Sequence, residues 1–384
     1  SDGSVEGTVC VRNDAGTEWS VRLTATLSTM DGVQVDSCTR EMALEAGSER
    51  SCDVALYVNQ PDLWNDENPN LYRVGLTLAA DGQEAQTVSY RTGFRRLELG
   101  PEGAKLNGNF VKFRGVNHLT YHPEGGMHTP KEWLRENLRM MKRANVNAIR
   151  THFLGAPALA ELCDEMGMYL LQELPIDWGT NYIHDPEWVG PALMRLEGGI
   201  RRDRHHPSVM VWSVGNENMP ESAEVAEDGW NHLRIYDRFC RRLDPTRPTM
   251  FPPPGPANKI EGIFEVRVGD IADTHYSFEL AKKFLKTGEV TNPRSWDADM
   301  ETLTRGEALE RGWSGVWFSS EYGIFNALPD VLNGPYLSII ADEMEDPLGG
   351  KNSLQVFIDR LRREWGYMRS EPTCLGGAYF PWIC

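Results

Sequence analysis

The chain has 384 residues, 40% hydrophobic and 25% charged, with 39 Lys and Arg against 56 Asp and Glu for a formal net charge of −17. That length can bury a large core and suggests two domains, while the acidic surface repels phosphate backbones and anionic lipid, so no nucleic-acid and no membrane partner is expected. No uncharged apolar run approaches the roughly 18 residues of a membrane span.

Residues 1–97 alternate apolar and polar in VEGTVCVRN, SVRLTATLS, SCDVALYV, LYRVGLTLAA and TVSYRTGF, parted by the turn signals DAG, MDG and ADG. Short strands about ten residues apart, with no helical period between them, predict an immunoglobulin-like β-sandwich. The seven cysteines show no CxxC and no metal-ligand spacing. A mostly reduced set is expected, with one disulfide among Cys10, Cys38 and Cys52 left open. The opening SDGSVEG has no charged-then-apolar leader, which leaves cytoplasmic, periplasmic and secreted locations all open.

From residue 98 to 384 the rhythm becomes strand and helix in alternation. Strands are predicted at 111–118, 147–153, 169–176, 208–217, 248–254, 271–277, 315–323 and 375–382. Helices are predicted at 129–145, 156–167, 188–204, 223–243 and 352–368. Eight strands in about 270 residues predict an α/β fold, a (β/α)8 TIM barrel. No GxGxxG follows a strand, which argues against a doubly wound dinucleotide fold. The stretch 278–314 is expected to form a loop over one barrel face. The chain stops after the eighth strand without a closing helix, so more chain is expected beyond it.

The working face of such a barrel lies at the C-terminal ends of its strands. The residues there are Asn117, His118, Arg150, His152, Glu173, Asp177, Asn216, Glu217, His275, Tyr276, Glu321, Tyr322, Phe380 and Trp382. Glu217 and Glu321 stand out because the apolar strands VMVWSVGN and GVWFSS deliver them to the rim. Glycosidic hydrolysis needs two carboxyl groups, one to protonate the leaving oxygen and one to attack the anomeric carbon or activate water. Aromatic faces suit sugar C–H surfaces, and Asn, His and Arg hold hydroxyls. Taken singly, a rim glutamate is more often a loop carboxylate, Arg150 a structural ion pair and His275 a core histidine. Glu173 and Asp177 read better as hydrogen-bonding partners than as metal ligands, and His122 and His128 are too loosely placed for zinc.

At these residues the sequence resembles glycoside hydrolase family 2, the β-galactosidase and β-glucuronidase group. PDLWNDENPNLYRVGLTLAADG with YRTGFRRLEL is similar to the family's immunoglobulin-like domain entering its barrel, and KLNGNFVKFRGVNHLTYHP to its first strand. RDRHHPSVMVWSVGNEN and WFSSEYG are similar to its fourth and seventh strands. The resemblance implies Glu217 as general acid/base and Glu321 as nucleophile. It implies Asn216 on the hydroxyl beside the anomeric centre, Tyr276 on the nucleophile, Arg150 holding the nucleophile's surroundings, and Trp382 or Phe380 as an aromatic platform. Asn117, His118, His152, Asp177, Trp178 and His275 complete the expected substrate contacts.

The chain departs from the family pattern in several places. His118-Leu119 stands where β-galactosidases have Arg-His, and His152 falls one place early in Arg150-Thr151-His152-Phe153. QELPIDWG lacks the histidine that helps bind magnesium, so neither metal nor cofactor is expected. Gly-Asn-Glu replaces the Asn-Asn-Glu of β-mannosidases, which disfavours a mannoside. The β-glucuronidase Asn-x-Lys would lie past the end of the chain. The expectation is a retaining exo-β-glycosidase acting on an oligosaccharide or glycoconjugate, a galactoside first and a glucuronide second. An endo-acting relative and a non-catalytic carbohydrate-binding barrel are the alternatives, and homo-oligomerisation stays open.

Overall fold

Alternation and helical period translate into elements much as their spacing requires. The structure is a computed structural model that describes residues 2–80, 86–119, 121–177, 183–218, 223–252, 264–265, 268–275, 289–290, 303–304, 309–310, 313–322 and 353–382. The chain folds as two compact units. One is Ser1–Arg95 with His205–Pro207, and the other is Arg96–Arg204 with Ser208–Cys384.

The first unit is all β. Strands β1 (Gly3–Arg12) and β4 (Glu49–Val58) pair antiparallel as one sheet. Strands β2 (Trp19–Thr29), β3 (Gln34–Leu44), β5 (Tyr72–Ala80) and β6 (Gln86–Thr92) form a second in the order β3-β2-β5-β6. Because side chains alternate across a pleated strand, Leu23, Ala25 and Leu27 of β2 fall on one face. They pack with Leu56, Val58, Tyr72, Val74 and Phe94 into one buried cluster drawn from both sheets.

In the second unit, short strands β7 (Leu97–Gly100), β8 (Gly103–Leu106) and β9 (Asn109–Phe110) form an antiparallel ribbon. The barrel strands follow: β10 (Phe113–His118), β11 (Ala148–Thr151), β12 (Tyr169–Glu173), β13 (Val209–Ser213), β14 (Thr249–Met250), β16 (Ala272–His275), β19 (Trp317–Tyr322) and β20 (Cys374–Trp382). Between them lie β15 (Phe264–Glu265), which pairs antiparallel with β16, and the small pair β17 (Glu289–Val290) and β18 (Leu303–Thr304). The sheet runs β14-β13-β12-β11-β10-β20-β19-β16, and a parallel bridge from Met250 to Ile271 joins its two ends. Eight parallel strands thus close into the expected TIM barrel.

The helices pack an apolar stripe inward. Helix α1 (Lys131–Arg143) buries Leu134, Leu138 and Met141, the i, i+4, i+7 positions of one face. Helix α2 (Pro157–Met166) starts on a proline, whose missing N–H costs nothing there, and stops at Gly167 with φ 67°. Helices α3 (Val189–Asp203), α4 (Ala223–Leu243) and α5 (Ser353–Ser370) complete the described set. Trp212, from the run that delivers Glu217, is fully buried and donates its Nε1 hydrogen to Asp244 Oδ2 at 2.9 Å.

Several strands end earlier than the sequence pattern suggests: β13 stops at Ser213, not 217, and β12 at Glu173, not 176. The residues beyond stay tied to their neighbours by separate backbone bonds, such as Val214 N–H to Met250 O at 2.9 Å, and by an isolated parallel bridge between Asp177 and Asn216. Most of the expected loop 278–314 lies outside the described residues.

Candidate active site

The rim of the barrel is organised around one guanidinium. Arg150, the third residue of β11, is fully buried. Its Nη1 donates to Asn117 Oδ1 at 2.7 Å and Glu321 Oε1 at 2.8 Å, and its Nη2 to Asn216 Oδ1 at 2.6 Å. Its Nε donates to Glu173 Oε2 at 2.9 Å, with a second, shorter contact to the same oxygen from Nη2. Parallel strands in register put Asn117 beside Arg150, and Glu173 follows from the next strand. Burial alone would lower the arginine's pKa, but the Glu173 and Glu321 charges more than offset it, so the cation is held. Glu173 is itself pushed up to about 8 by burial, against the pull of Arg150.

Glu217 follows the β13 turn. Gly215 admits a close approach there, since a Cβ would meet Asn218 Oδ1 and stand 3.2 Å from Ile176 O. Asn216 N–H donates to Ile176 O at 2.9 Å and Glu217 N–H to Pro252 O at 3.0 Å, which anchors the turn to both neighbouring strand ends. Glu217 itself has φ 49°, a left-handed conformation that costs a non-glycine residue about 1–2 kcal/mol. Such backbone strain is concentrated where a side chain must be aimed. Glu217 is 9% exposed and Glu321 4% exposed.

His275, at the end of β16, sits between these groups and is fully buried. Its Nδ1 is 2.5 Å from Glu217 Oε1 and 3.7 Å from Glu321 Oε2, and its Nε2 is 2.7 Å from Ser320 Oγ. One ligand-type atom from each of Glu217, His275 and Glu321 lies within 4.8 Å of the others. The cluster does not suit a resident cation, because both imidazole nitrogens already have partners and Arg150 supplies Glu321 with its positive charge. The magnesium used by β-galactosidases finds no better place at Asp177, whose Oδ1 accepts from Asn216 Nδ2 at 3.0 Å.

The structure brings most of the expected residues together. Asn117 is enclosed, with Oδ1 on Arg150 and Nδ2 donating to Ser320 O at 2.7 Å and Ala378 O at 3.0 Å. Asn117, Arg150 and His275 are each 0% exposed and bonded to protein neighbours. His152 lies nearer the opening, with Nε2 3.2 Å from Asn216 Nδ2 and 3.9 Å from Glu321 Oε1. Burial, then the Arg150 charge, lowers its pKa to about 4, so it is neutral at ordinary pH. The Phe380 ring packs edge-on to His152 with centroids 5.7 Å apart. His118 is buried and lowered to about 4 by desolvation, and among the described residues its Nδ1 has no hydrogen-bond partner. Trp178 and Tyr276 lie outside the described residues, as does the side chain of Trp382, whose backbone pairs with His118.

Two residues that carry the site have no prominent signal in the sequence. Asp273 Oδ1 accepts from the Thr274 and Ser320 N–H groups at 2.6 and 2.9 Å, and burial pushes it up to about 6. Ser320 seats the imidazole. The available hint was position: Asp273 shares a strand face with His275, and Ser320 precedes Glu321.

The chain is similar to known proteins in sequence and in fold. Residues 1–95 match the family described as glycosyl hydrolases family 2, and residues 98–294 match the glycosyl hydrolases family 2 TIM barrel domain. A β-galactosidase of Vibrio cholerae serotype O1 is 36% identical over 204 residues, which are 51% of this chain and 19% of that protein. β-Galactosidase 2 of Enterobacter cloacae is 34% identical over 215 residues, 54% of this chain and 20% of that protein. The matched region is thus about a fifth of the length of these relatives. Among solved structures, a Bacteroides uniformis β-glucuronidase superposes with a TM-score of 0.78 at 21% identity, covering 99% of this chain and 44% of the other. A β-galacturonidase from Eisenbergiella tayi gives 0.72 at 18% identity, covering 98% and 61%. These two likenesses are of fold.

Proposed function

The chain belongs to glycosyl hydrolase family 2, and from that premise we propose that it is a retaining exo-β-glycosidase that releases a terminal sugar from an oligosaccharide or glycoconjugate. Glu321 is the nucleophile and Glu217 the general acid/base. The observation that carries this reading is the closeness of the pair: an oxygen of each lies within 4.8 Å. Retaining enzymes hold their carboxyl groups about 5–5.5 Å apart, whereas inverting ones leave about 6.5–9.5 Å for a water.

The surroundings suit the two roles. Glu321 must be ionised to attack, and the Arg150 guanidinium at 2.8 Å favours its charged form. Attack on the anomeric carbon breaks the bond to the leaving oxygen, which takes the proton of Glu217. A water then gives Glu217 its proton and displaces Glu321 from the covalent glycosyl-enzyme. Asn216, held by Arg150 and Asp177, lies next to Glu217 where a neighbouring hydroxyl would bind. Phe380 and Trp382 would offer apolar faces to the ring.

A β-galactoside is the first expected substrate, because the relatives at 34–36% identity are β-galactosidases by name, and a β-glucuronide is the second. A screen of nitrophenyl β-glycosides, with the first-formed anomer read by proton NMR, tests the reading. Release of the β-anomer first is expected. Release of the α-anomer first, or no turnover on any glycoside, overturns it.

A further inference from the structure

His275 does more at this site than fill the barrel. It is wholly buried, yet it makes polar contacts to groups on two different elements: Nδ1 to Glu217 Oε1 at 2.5 Å and Nε2 to Ser320 Oγ at 2.7 Å. Ser320 is itself immobilised. Its N–H donates to Asp273 Oδ1 at 2.9 Å, and its carbonyl accepts from Asn117 Nδ2 at 2.7 Å. Ser320 is also the residue before Glu321. The position of the acid/base is therefore referenced, through one imidazole, to the strand that carries the nucleophile.

We infer that His275 is a positioning residue that keeps an N–H on Glu217 Oε1 and so dictates that the acid proton sits on Oε2; this rests on the assignment of Glu217 as acid/base. An ionised carboxylate only accepts hydrogen bonds, so whenever Glu217 is charged Nδ1 must be the donor. Ser320 Oγ can donate or accept, so it matches Nε2 in either state of the ring. With Nδ1–H on Oε1 throughout, the other oxygen is left to exchange the proton with the leaving group and, later, with water. His275 keeps its own proton in both half-reactions, and the proton that moves is that of Glu217 alone.

The contact also favours one state of the acid. A hydrogen bond to a carboxylate is roughly twice as strong as one to a neutral carboxyl oxygen. His275 thus stabilises the charge that appears on Glu217 as the leaving group departs, and opposes the repulsion from Glu321. The ring is faced by Glu217, by Ser320 and Glu321 of β19, by Arg150 and His152 of β11, by Glu173 of β12 and by Asp273 of its own strand. Burial would strip its proton, but the Glu321 and Glu217 charges outweigh that and raise its pKa overall.

The test uses the intact protein and aryl and alkyl β-galactosides of graded leaving-group acidity, with kcat/KM followed against pH. His275→Phe fills the space without a donor, His275→Asn restores a donor near the Nδ1 position, and Ser320→Ala loosens the seat. Loss of the donor takes a hydrogen bond away from the charged form of Glu217. The basic limb for His275→Phe should therefore move up by about one pH unit, and rates on poor leaving groups should fall at least about tenfold more than on good ones, within the range that proton transfer contributes. His275→Asn should recover most of both effects, and Ser320→Ala should move the limb in the same direction by less. If His275→Phe does not fold, Ser320→Ala decides the matter. An unmoved limb with all substrates slowed alike overturns the inference. Glu217→Ala, assayed alongside, separates the two levels: full activity in that variant defeats the acid/base assignment itself, whereas a crippled Glu217→Ala beside an unshifted His275→Phe defeats only the role of the histidine.

Discussion

Arg150 Nη1 donates to Glu321 Oε1 at 2.8 Å, and both side chains are buried. The same guanidinium holds Asn216, the residue before Glu217, at 2.6 Å. One side chain therefore sets the distance between the proposed nucleophile and the turn that bears the acid/base. Only a planar fork with five donors can do this.

Arg150→Met should leave Glu173 and Glu321 buried without their cation. Removing one partner of a buried ion pair typically costs about 3–5 kcal/mol. Urea denaturation should show a loss of that order. A loss under about 1 kcal/mol would mean that the network relaxes at no cost and that Arg150 is not its anchor.

Glu321→Ala should abolish turnover, by at least about 10⁴-fold, because it removes the proposed nucleophile. Glu217→Ala should fall by about 10²–10⁴-fold on poor leaving groups and far less on good ones. Added azide should then restore activity to Glu217→Ala and yield a β-glycosyl azide, because that anion attacks the intermediate without needing a base. An α-azide in the product analysis would contradict retention.

Gly215→Ala should destabilise the protein by roughly 1–3 kcal/mol. The new methyl would force Asn218 Oδ1 away from the Asn216 N–H, which it now accepts at 3.1 Å. Because Asn216 and Glu217 are aimed by this turn, kcat should fall in parallel with the thermal midpoint. An unchanged kcat would show that the turn does not aim the acid/base.

The pH dependence of stability should carry the mark of His118. Its folded pKa is about 4 against an ordinary 6.5, so the fold keeps it neutral. Between those values the unfolded chain binds a proton that the folded chain refuses, and stability drops as pH is lowered. Relative to His118→Phe, the wild type should lose up to about 3 kcal/mol on going from pH 6.5 to 4. Parallel melting curves for the two proteins across that range would rule out a buried neutral His118.

Much of this was legible in the linear pattern. The period-2 runs before residue 97 and the strand-helix alternation after it specify a sandwich and a barrel, because each period can bury only one kind of face. The rim glutamates Glu217 and Glu321 are legible too, since an apolar strand ending in a carboxylate is conspicuous. Asp273 and Ser320 were not. A buried aspartate and a serine inside strands look like ordinary polar interruptions until the neighbouring strand places a backbone N–H and an imidazole against them.

Element type and the candidate acidic pair follow from local periodicity and from which residues end each strand. The surroundings of Asn117 and His275 do not. Both sit at rim positions that read as substrate contacts, yet each is fully enclosed and bonded to protein. Whether a polar side chain at a strand end meets solvent or a neighbour depends on the register of the adjacent strands and the tightness of the turn beyond them. Those quantities come from contacts far apart in the chain, as with Arg150 and Glu321, 171 positions apart, and they exist only once the barrel has closed.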